Sequence, residues 1–517
     1  DLYRPLSLAL FTLEWGAGNG QILLFHTLDL VFYLLSVLVL WRFGRTLLPA
    51  GAAWLGAAWF AIHPVHVEAV SAAINQSETL VGIFAVSIVA LYLDWRRQTH
   101  GARGRAWLIL ALYVIACLIK ESALVFPGLL LAAELFLVQD SASWGARLRR
   151  LLPWGALMLT LGLELVALRT RVLQSFSGTF TAEALLGLDM PRRALTMLGV
   201  VPQWVRLTFW PAHLRLDYSP GEFVAATHWG GDQTLGLLIL LAAAGLLVWA
   251  WRRQPVIAFG LAWFAVAIFP VTNILVPTGI LLAERTLFLP TMGIALSLGA
   301  ALWALRPAVA RQRPLFRKLA VAALVLVGVA GVLRSAMRMY IWRNTRALWT
   351  QSLLDAPDSY RVLRAVGDML NTIGEEDRWR AYLDEAKKEY AGSASLFMEI
   401  GDHYRRKGDC TTALPEYRTA LKLRPDGAEI RASLIACLFY QGEFRQAQAA
   451  TAVGRGYLPD DPAFRQFQKI ADTLAGTTRG VQIVLDSLGP DTVQVRVTLR
   501  KDPHPTVPAL PGNATKP

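Results

Sequence analysis

The sequence predicts an all-α protein in two parts, a polytopic membrane helix bundle followed by a C-terminal α-solenoid of helical hairpins. Three observations carry that reading. Of 517 residues, 54% are apolar and only 17% are charged, against about 25% charged in an ordinary soluble domain. Charge is also segregated, with most acidic residues after about residue 355 and long apolar, Arg-punctuated runs before it. Finally, small and aromatic positions recur at a spacing of 34 residues between about 360 and 461.

The membrane part resolves into apolar stretches at roughly 22–41, 47–63, 78–95, 106–119, 122–138, 151–168, 233–251, 256–270, 284–304 and 319–335. That makes about ten spans, several shorter than the usual ~20 residues. Arg clusters mark alternate connections: Arg42 and Arg45; Arg96, Arg97, Arg103 and Arg105; Arg147, Arg149 and Arg150; Arg252 and Arg253; Arg306, Arg311, Arg313, Arg317 and Lys318. The positive-inside rule makes these loops cytoplasmic. An even number of spans then puts residue 1 and everything after about 336 on the extracytoplasmic side. The chain opens on Asp1-Leu2-Tyr3-Arg4 with neither a start methionine nor a signal peptide, so part of the N-terminus is expected to be missing.

Net charge of +13 could suggest nucleic acid. The Arg residues, however, sit in short groups beside apolar runs and form no basic groove, so nucleic acid is excluded as a partner. Three cysteines, Cys117, Cys410 and Cys437, encode no disulfide framework. A bridge between the last two is allowed, with buried free thiols preferred.

The soluble part carries its period in Gly367 and Gly401; Gly374, Gly408 and Gly442; Ala386 and Ala420; Ala413 and Ala447; Pro425 and Pro459. A 34-residue period is that of tetratricopeptide (TPR) hairpins, in which small residues let paired helices approach and Pro ends the second helix. Three repeats fill about 360–461, after a half repeat near Trp349 to Pro357. The predicted domains are thus 1–340 in the membrane, 341–477 as TPR repeats, and 478–517 as a short strand-like segment with a Pro-rich tail. Asn513-Ala514-Thr515 fits a glycosylation acceptor pattern, though so short a match is usually accidental.

Polar residues gather at the predicted extracytoplasmic ends of spans. His63, His66, Glu68, Asn75, Gln76 and Glu78 fill one short loop, and Lys120 with Glu121 the next turn; Arg169, Arg171 and Asp217 border a third loop, and Asn273, Glu284 and Arg285 a fourth. Charges adjoining spans are expensive, so such a set marks a pathway, a site or ion pairs. Sequence neighbours Lys120–Glu121 and Glu284–Arg285 are the obvious pairs. The segment 191–212, with Trp204, Arg206, Phe209 and Trp210, reads either as an in-plane amphipathic helix or as another span. His63-Pro64-Val65-His66-Val67-Glu68 lacks the i, i+4 His pair of zinc hydrolases and Pro64 breaks the helix, so a hydrogen-bonding or substrate-orienting role is preferred and no metal ligand is assigned.

Tyr3-Arg4-Pro5-Leu6, then His63 to Val70, Lys120-Glu121-Ser122, Pro211 to Ser219, Trp263 to Asn273 and Ala283 to Pro290 together resemble the ordered marks of the transmembrane and TPR-containing (TMTC-type) protein O-mannosyltransferases and their bacterial relatives, of the GT-C class. The resemblance implies an integral membrane glycosyltransferase. It would move a sugar, mannose favoured, from a polyprenyl- or dolichyl-phosphate donor to a protein Ser/Thr hydroxyl with inversion, the TPR groove holding the acceptor. On that reading Glu78, Glu121, Asp217 and Glu284 are the catalytic or orienting carboxylates. Arg4, His63, His66, Glu68, Lys120 and Arg285 bind substrate, with the three cations on the phosphate because Arg forks match its oxygens.

Two departures stand beside the resemblance. The family's acidic motif lies upstream of the Tyr-Arg-Pro-Leu mark, so the main base is expected before Asp1; and where relatives carry Arg beside an acidic residue this chain reads Gln76-Ser77-Glu78. No cofactor is demanded, and a divalent cation is left open. The alternatives are a GT-C enzyme acting on a lipid or envelope polysaccharide and a non-catalytic TPR scaffold. Arg-, Ala-, Leu- and Trp-rich composition favours a bacterial inner membrane, or the ER membrane in a eukaryote, with the TPR part extracytoplasmic.

Overall fold

The computed structural model describes residues 3–97, 102–138, 143–173, 182–218, 224–459, 461–474, 481–489 and 492–499. Asp1 and the Pro-rich tail with Asn513-Ala514-Thr515 lie outside them. The chain divides into two compact units, Asp1–Met369 and Leu370–Pro517.

The first unit runs α1 (Pro5–Ala17), α2 (Ile22–Leu47), α3 (Ala50–Ala61), α4 (Val67–Ser71), α5 (Gln76–Arg97), α6 (Ala102–Ile119) and α7 (Phe126–Phe136), then α8 (Trp144–Leu173), α9 (Met190–Phe209), α10 (Gly231–Arg253), α11 (Pro255–Ile268), α12 (Phe288–Ala310), α13 (Pro314–Ile341) and α14 (Thr345–Asp355). Among the described residues, α2, α5, α8, α10, α12, α13 and α11 with the 3-10 turn that continues it to Thr272 are long and apolar enough to cross a membrane, so the protein is an integral membrane protein. The other apolar stretches read from the sequence fall on the short helices α3, α6 and α7. At 1.5 Å per residue the 12 residues of α3 reach only about 18 Å, short of a ~30 Å hydrocarbon core.

Helix α9 is not among the seven. Its buried residues Met197, Val200, Val201, Trp204 and Leu207 recur at helical spacing, and Arg192, Arg193 and Arg206 interrupt any continuous apolar run. The segment is therefore an amphipathic helix.

Two features fix the ends of the bundle. Helix α12 is its most buried span and crosses α11 at backbone contact: a Cβ on Gly260 would stand 2.2 Å from the Gly293 carbonyl oxygen, and one on Gly293 2.4 Å from that of Gly260. Close approach of this kind is how membrane helices gain packing without a hydrophobic drive. At the Arg-rich end, Glu134 accepts two bonds from Arg96 at 2.9 Å, one from Arg147 at 2.9 Å and one from the Tyr92 hydroxyl at 2.7 Å, clamping α5, α7 and α8. Glu78 lies on the same helix 18 residues before Arg96, about 27 Å away at helical rise. The polar clusters at Glu78 and Glu134 are thus separated by roughly the thickness of a hydrocarbon core.

Helix α15 (Tyr360–Thr372) leads into the second unit, which continues α16 (Glu376–Glu389), α17 (Ala394–Arg406), α18 (Cys410–Leu423), α19 (Ala428–Gln441), α20 (Phe444–Tyr457) and α21 (Pro462–Leu474). Strands β1 (Val481–Gly489) and β2 (Thr492–Leu499) follow as an antiparallel hairpin with Val481 opposite Leu499. The periodic glycines have a conformational reason: Gly374, Gly408 and Gly442 take φ of +85°, +78° and +82° at the turns closing successive first helices, a region other residues adopt at a cost. Gly401 has a packing reason, since a Cβ there would stand 2.7 Å from the Tyr417 ring.

Cys410 and Cys437 are joined by a disulfide, their Cα atoms 5.2 Å apart. The sequence preferred free thiols here. Antiparallel packing of α18 against α19 brings together two residues 27 apart in the chain, a proximity that spacing alone does not specify.

Candidate functional site

The extracytoplasmic helix ends predicted from the sequence do converge in the first unit, but the pairs differ from those adjacency suggests. Lys120 ion-pairs with Glu78, in the first turn of α5, instead of with its neighbour Glu121. Glu121 opens a 3-10 turn, Glu121–Val125, and is gripped bidentately by Arg4, with Nε to Oε2 at 2.9 Å and Nη2 to Oε1 at 2.6 Å. Arg285 pairs with Glu68 of α4 instead of Glu284, and its backbone N–H donates to Glu68 Oε2 at 2.9 Å. Adjacent residues in a 3-10 turn project in different directions, so neither neighbouring pair closes.

Each predicted cation thus holds one predicted carboxylate. The three pairs also sense one another: Arg4 and Glu121 lie within electrostatic range of Lys120, and Arg4 and Glu78 within range of Arg285. Burial holds the Lys120 ammonium below the ordinary lysine range although Glu78 opposes this, and Arg4 adds to the lowering. Desolvation would raise the Glu121 carboxyl, but the hydrogen bonds and charge of Arg4, with Lys120, outweigh it and hold it at about 2. Among the three pairs Glu121 and Arg285 have the most exposed side chains, 47% and 26%, against 2% for Glu68. Solvent and a ligand therefore reach one side of a charge cluster whose other side is sealed.

The remaining predicted residues stand elsewhere. Glu284 is fully buried behind the cluster: its Oε1 accepts from the Tyr218 hydroxyl at 3.0 Å and from the Arg215 N–H at 2.5 Å, and its Oε2 lies 3.6 Å from Arg338. Asp217 is turned toward the first soluble helices, accepting from Ser359 at 2.7 Å and Arg361 at 3.5 Å.

His63 and His66 are buried, with both ring nitrogens of each engaged. His63 Nε2 donates to the Thr208 carbonyl at 2.9 Å, and its Nδ1 accepts from the Val65 N–H. His66 Nδ1 donates to the Phe60 carbonyl at 2.9 Å, and its Nε2 meets the Thr291 hydroxyl at 2.9 Å. Burial pushes His63 down to about 4 and His66 well below the ordinary range, so both rings are neutral near pH 7. Asn273 is a loop clamp at φ +55°, accepting from the Thr278 N–H and hydroxyl at 2.6 and 2.8 Å. Among the described residues no three or more His, Cys, Asp or Glu gather as a metal site.

The buried charges that the sequence reading passed over include Arg338 at the end of α13 and Asp29 in the third turn of α2. Both are charges within an apolar run, and that alone would have singled them out.

What the cluster can do follows from its charges. Three fixed cations around one exposed side can bind a phosphate bidentately and neutralise it as it leaves, while their carboxylates keep them in place until it arrives.

Comparison with known proteins follows the same lines. A family model described as "Tetratricopeptide repeat" matches residues 404–469. Human "Protein O-mannosyl-transferase TMTC3" is 23% identical over 82% of this chain and 48% of its own length. Mouse "Protein O-mannosyl-transferase TMTC4" is 24% identical over 72% and 56%, and the Drosophila melanogaster protein "Protein O-mannosyl-transferase Tmtc1" is 31% identical over 24% and 14%. This chain is thus similar to TMTC proteins across most of its own length, and it spans about half the length of the first of these relatives. A solved structure of yeast Tom70 aligns over 85% of this chain and 96% of its own with a TM-score of 0.25 and 12% identity, too low to indicate a shared overall fold.

Proposed function

We propose that the protein is a membrane glycosyltransferase that moves a sugar, with mannose favoured, from a polyprenyl-phosphate donor to a Ser or Thr hydroxyl of a protein, with inversion. The observation that carries this is the convergence of Arg4, Lys120 and Arg285 on one partly exposed cluster. The names of its relatives supply the reaction class.

The donor phosphate enters from the bilayer and takes Arg4, Lys120 and Arg285 as counter-charges. Glu68 and Glu78 remain as the groups that orient Arg285 and Lys120. Glu121, released as Arg4 turns to the phosphate, becomes free to accept hydrogen bonds from the sugar hydroxyls. The acceptor oxygen then attacks the anomeric carbon from the face opposite the phosphate: its O–H proton passes to a carboxylate on that acceptor face, the new C–O bond forms, and the sugar–phosphate bond breaks with its electron pair leaving on the phosphate. The polyprenyl phosphate departs against the three cations. Glu284, Asp217, His63 and His66 act by position, holding the Arg285 corner, the loop before Tyr218 and the turn before Glu68.

The TPR unit offers an extended protein segment the stacked-hairpin surface that such repeats present. An extracytoplasmic location for it is supported by the Arg-rich opposite end of the bundle and by the Cys410–Cys437 bridge, a bond favoured in oxidising compartments. The test is a transfer assay with purified full-length protein, a panel of polyprenyl-phosphate sugars, and protein and glycan acceptors, read by mass spectrometry. Hexose on Ser or Thr of a protein is expected; transfer to glycan alone moves the acceptor assignment, and no transfer from any such donor overturns the reading.

A further inference from the structure

Beside the ion-pair cluster, a second polar group is buried among α1, α2 and the start of α5. Glu14, Asp29 and Gln76 are 2%, 1% and 1% exposed. Gln76 Nε2 donates to Glu14 Oε2 at 3.2 Å and approaches the Phe25 carbonyl oxygen at 3.4 Å. Asp29 lies beside the same amide and within electrostatic range of Glu14. His26, half exposed, has its Nδ1 3.7 Å from Asp29 Oδ2.

Among the described residues, the Gln76 amide is the one side-chain hydrogen-bond donor to Glu14. Glu14 Oε1, both Asp29 oxygens and Gln76 Oε1 are buried without a hydrogen-bond partner. This contrasts with the neighbouring cluster, where every carboxylate has an Arg or Lys. Two ionised carboxylates in an apolar bundle would cost several kcal/mol each, on the order of the penalty for any buried ion, and half-exposed His26 approaches only one of the four oxygens, so the group calls for a bound proton or a bound cation to neutralise it.

The donor types narrow what that charge is. All the acceptors are oxygens, and hard oxygen sets select Mg²⁺, Mn²⁺ or Ca²⁺ over zinc or copper. Turning the Gln76 amide over puts its oxygen where Nε2 now stands, 3.2 Å from Glu14 Oε2 and 3.4 Å from the Phe25 carbonyl. An octahedral ion with metal–oxygen distances of about 2.1–2.4 Å has oxygen–oxygen edges of about 3.0–3.4 Å, so these separations already suit one. Two carboxylates match a divalent charge, and an ion of this kind completes its shell with water.

We propose that Glu14, Asp29 and Gln76, with the Phe25 carbonyl, form a hard divalent-cation site that ties α1 and α2 to the start of α5. The site stands apart from the proposed transfer and can be tested without it. Gln76 is two residues before Glu78, so an ion here fixes the end of α5 on which the Lys120 partner stands.

The experiment uses the full chain, stripped with EDTA in detergent and titrated with Mn²⁺, read by electron paramagnetic resonance and by thermal unfolding. Wild type is expected to bind Mn²⁺ stoichiometrically, in competition with Mg²⁺, and to unfold at higher temperature when loaded. Asp29→Asn and Glu14→Gln, which keep shape and remove charge, are expected to weaken binding by more than the ~10-fold typical of losing a supporting contact. Both should also lose the thermal shift. No binding above the stripped blank, or equal binding by both amide variants, overturns the site. Absence of binding together with greater thermal stability of both variants at neutral pH assigns the carboxyls to a shared-proton pair and likewise overturns it. Lys120→Ala should leave Mn²⁺ binding intact, so failure of the transfer reading is distinguishable from failure of this one.

Discussion

Arg338 and Glu284, both fully buried, face each other at 3.6 Å where the last span ends. Arg338 also reaches Asp355 of α14 at 3.3 Å, and Gln351 donates to that carboxylate at 2.9 Å. One guanidinium therefore joins the Glu284–Arg285 corner, through which Arg285 holds Glu68, to the first soluble helix. Removing one partner of a buried pair strands the other charge, at a cost of about 3–5 kcal/mol. Arg338→Met should accordingly lower thermal stability in detergent markedly. The double variant Arg338→Met, Glu284→Gln should recover part of the loss, because the fully buried carboxylate is then removed and only the partly exposed Asp355 is left without its cation. A double variant no more stable than the single one would contradict the pairing.

The α11–α12 crossing makes a packing prediction. Gly293→Val places side-chain atoms against the Gly260 carbonyl and Trp263, and overpacking of this kind costs roughly 1–3 kcal/mol. Gly245→Ala in α10 has nothing within 4 Å of its added Cβ and serves as the control. Thermal unfolding by size-exclusion chromatography should separate the two; equal melting would mean the helices can move apart freely.

Neutral, buried histidines give a pH prediction. The folded-state pKa of His63 lies near 4, below the ~6.5 of an unfolded chain. Between those values the unfolded state binds more protons, so this contribution is complete above about pH 6.5 and is lost as pH falls toward 4 and below. His66, shifted in the same direction, adds to the slope. Thermal stability should therefore fall between pH 6.5 and 5, and less steeply in His63→Gln. A His63→Gln profile parallel to wild type would contradict the assignment.

The bridge in the repeats predicts a redox-dependent stability. Peptide mapping without reductant should recover Cys410 and Cys437 in one linked species. Cys410→Ser, Cys437→Ser should melt earlier, since crosslinks of this loop length contribute about 2–4 kcal/mol. Recovery of both residues as alkylated thiols from freshly isolated protein would contradict the bridge and the oxidising compartment together.

Period and polarity were legible in the sequence, and pairing was not. The apolar runs at 22–41 and 284–304 fall on α2 and α12, because hydrophobicity is summed locally. The glycines at 374, 408 and 442 were visible through spacing alone, and their positive φ supplies the cause. Lys120–Glu78 and Arg285–Glu68 join residues 42 and 217 apart. Such contacts are decided by how helix ends meet, which no local pattern encodes. The contact between Glu14 and Gln76, 62 apart, was not legible for the same reason. The disulfide was open for another, since adjacency of α18 and α19 says nothing of which residues face each other.

In the proposed function Arg4, Lys120 and Arg285 act together on a donor phosphate. The most direct measurement compares initial rates of mannosyl transfer from polyprenyl-phosphate mannose for wild type, Lys120→Ala, Arg285→Ala and Arg285→Lys, with folding verified by thermal unfolding. Loss of one preorganised contact to developing charge costs about 10²–10³ in rate, so both alanine variants should fall by that factor. Arg285→Lys should keep only part of the rate, since an ammonium lacks the bidentate fork. Folded Lys120→Ala and Arg285→Ala proteins that transfer mannose at the wild-type rate would contradict the account.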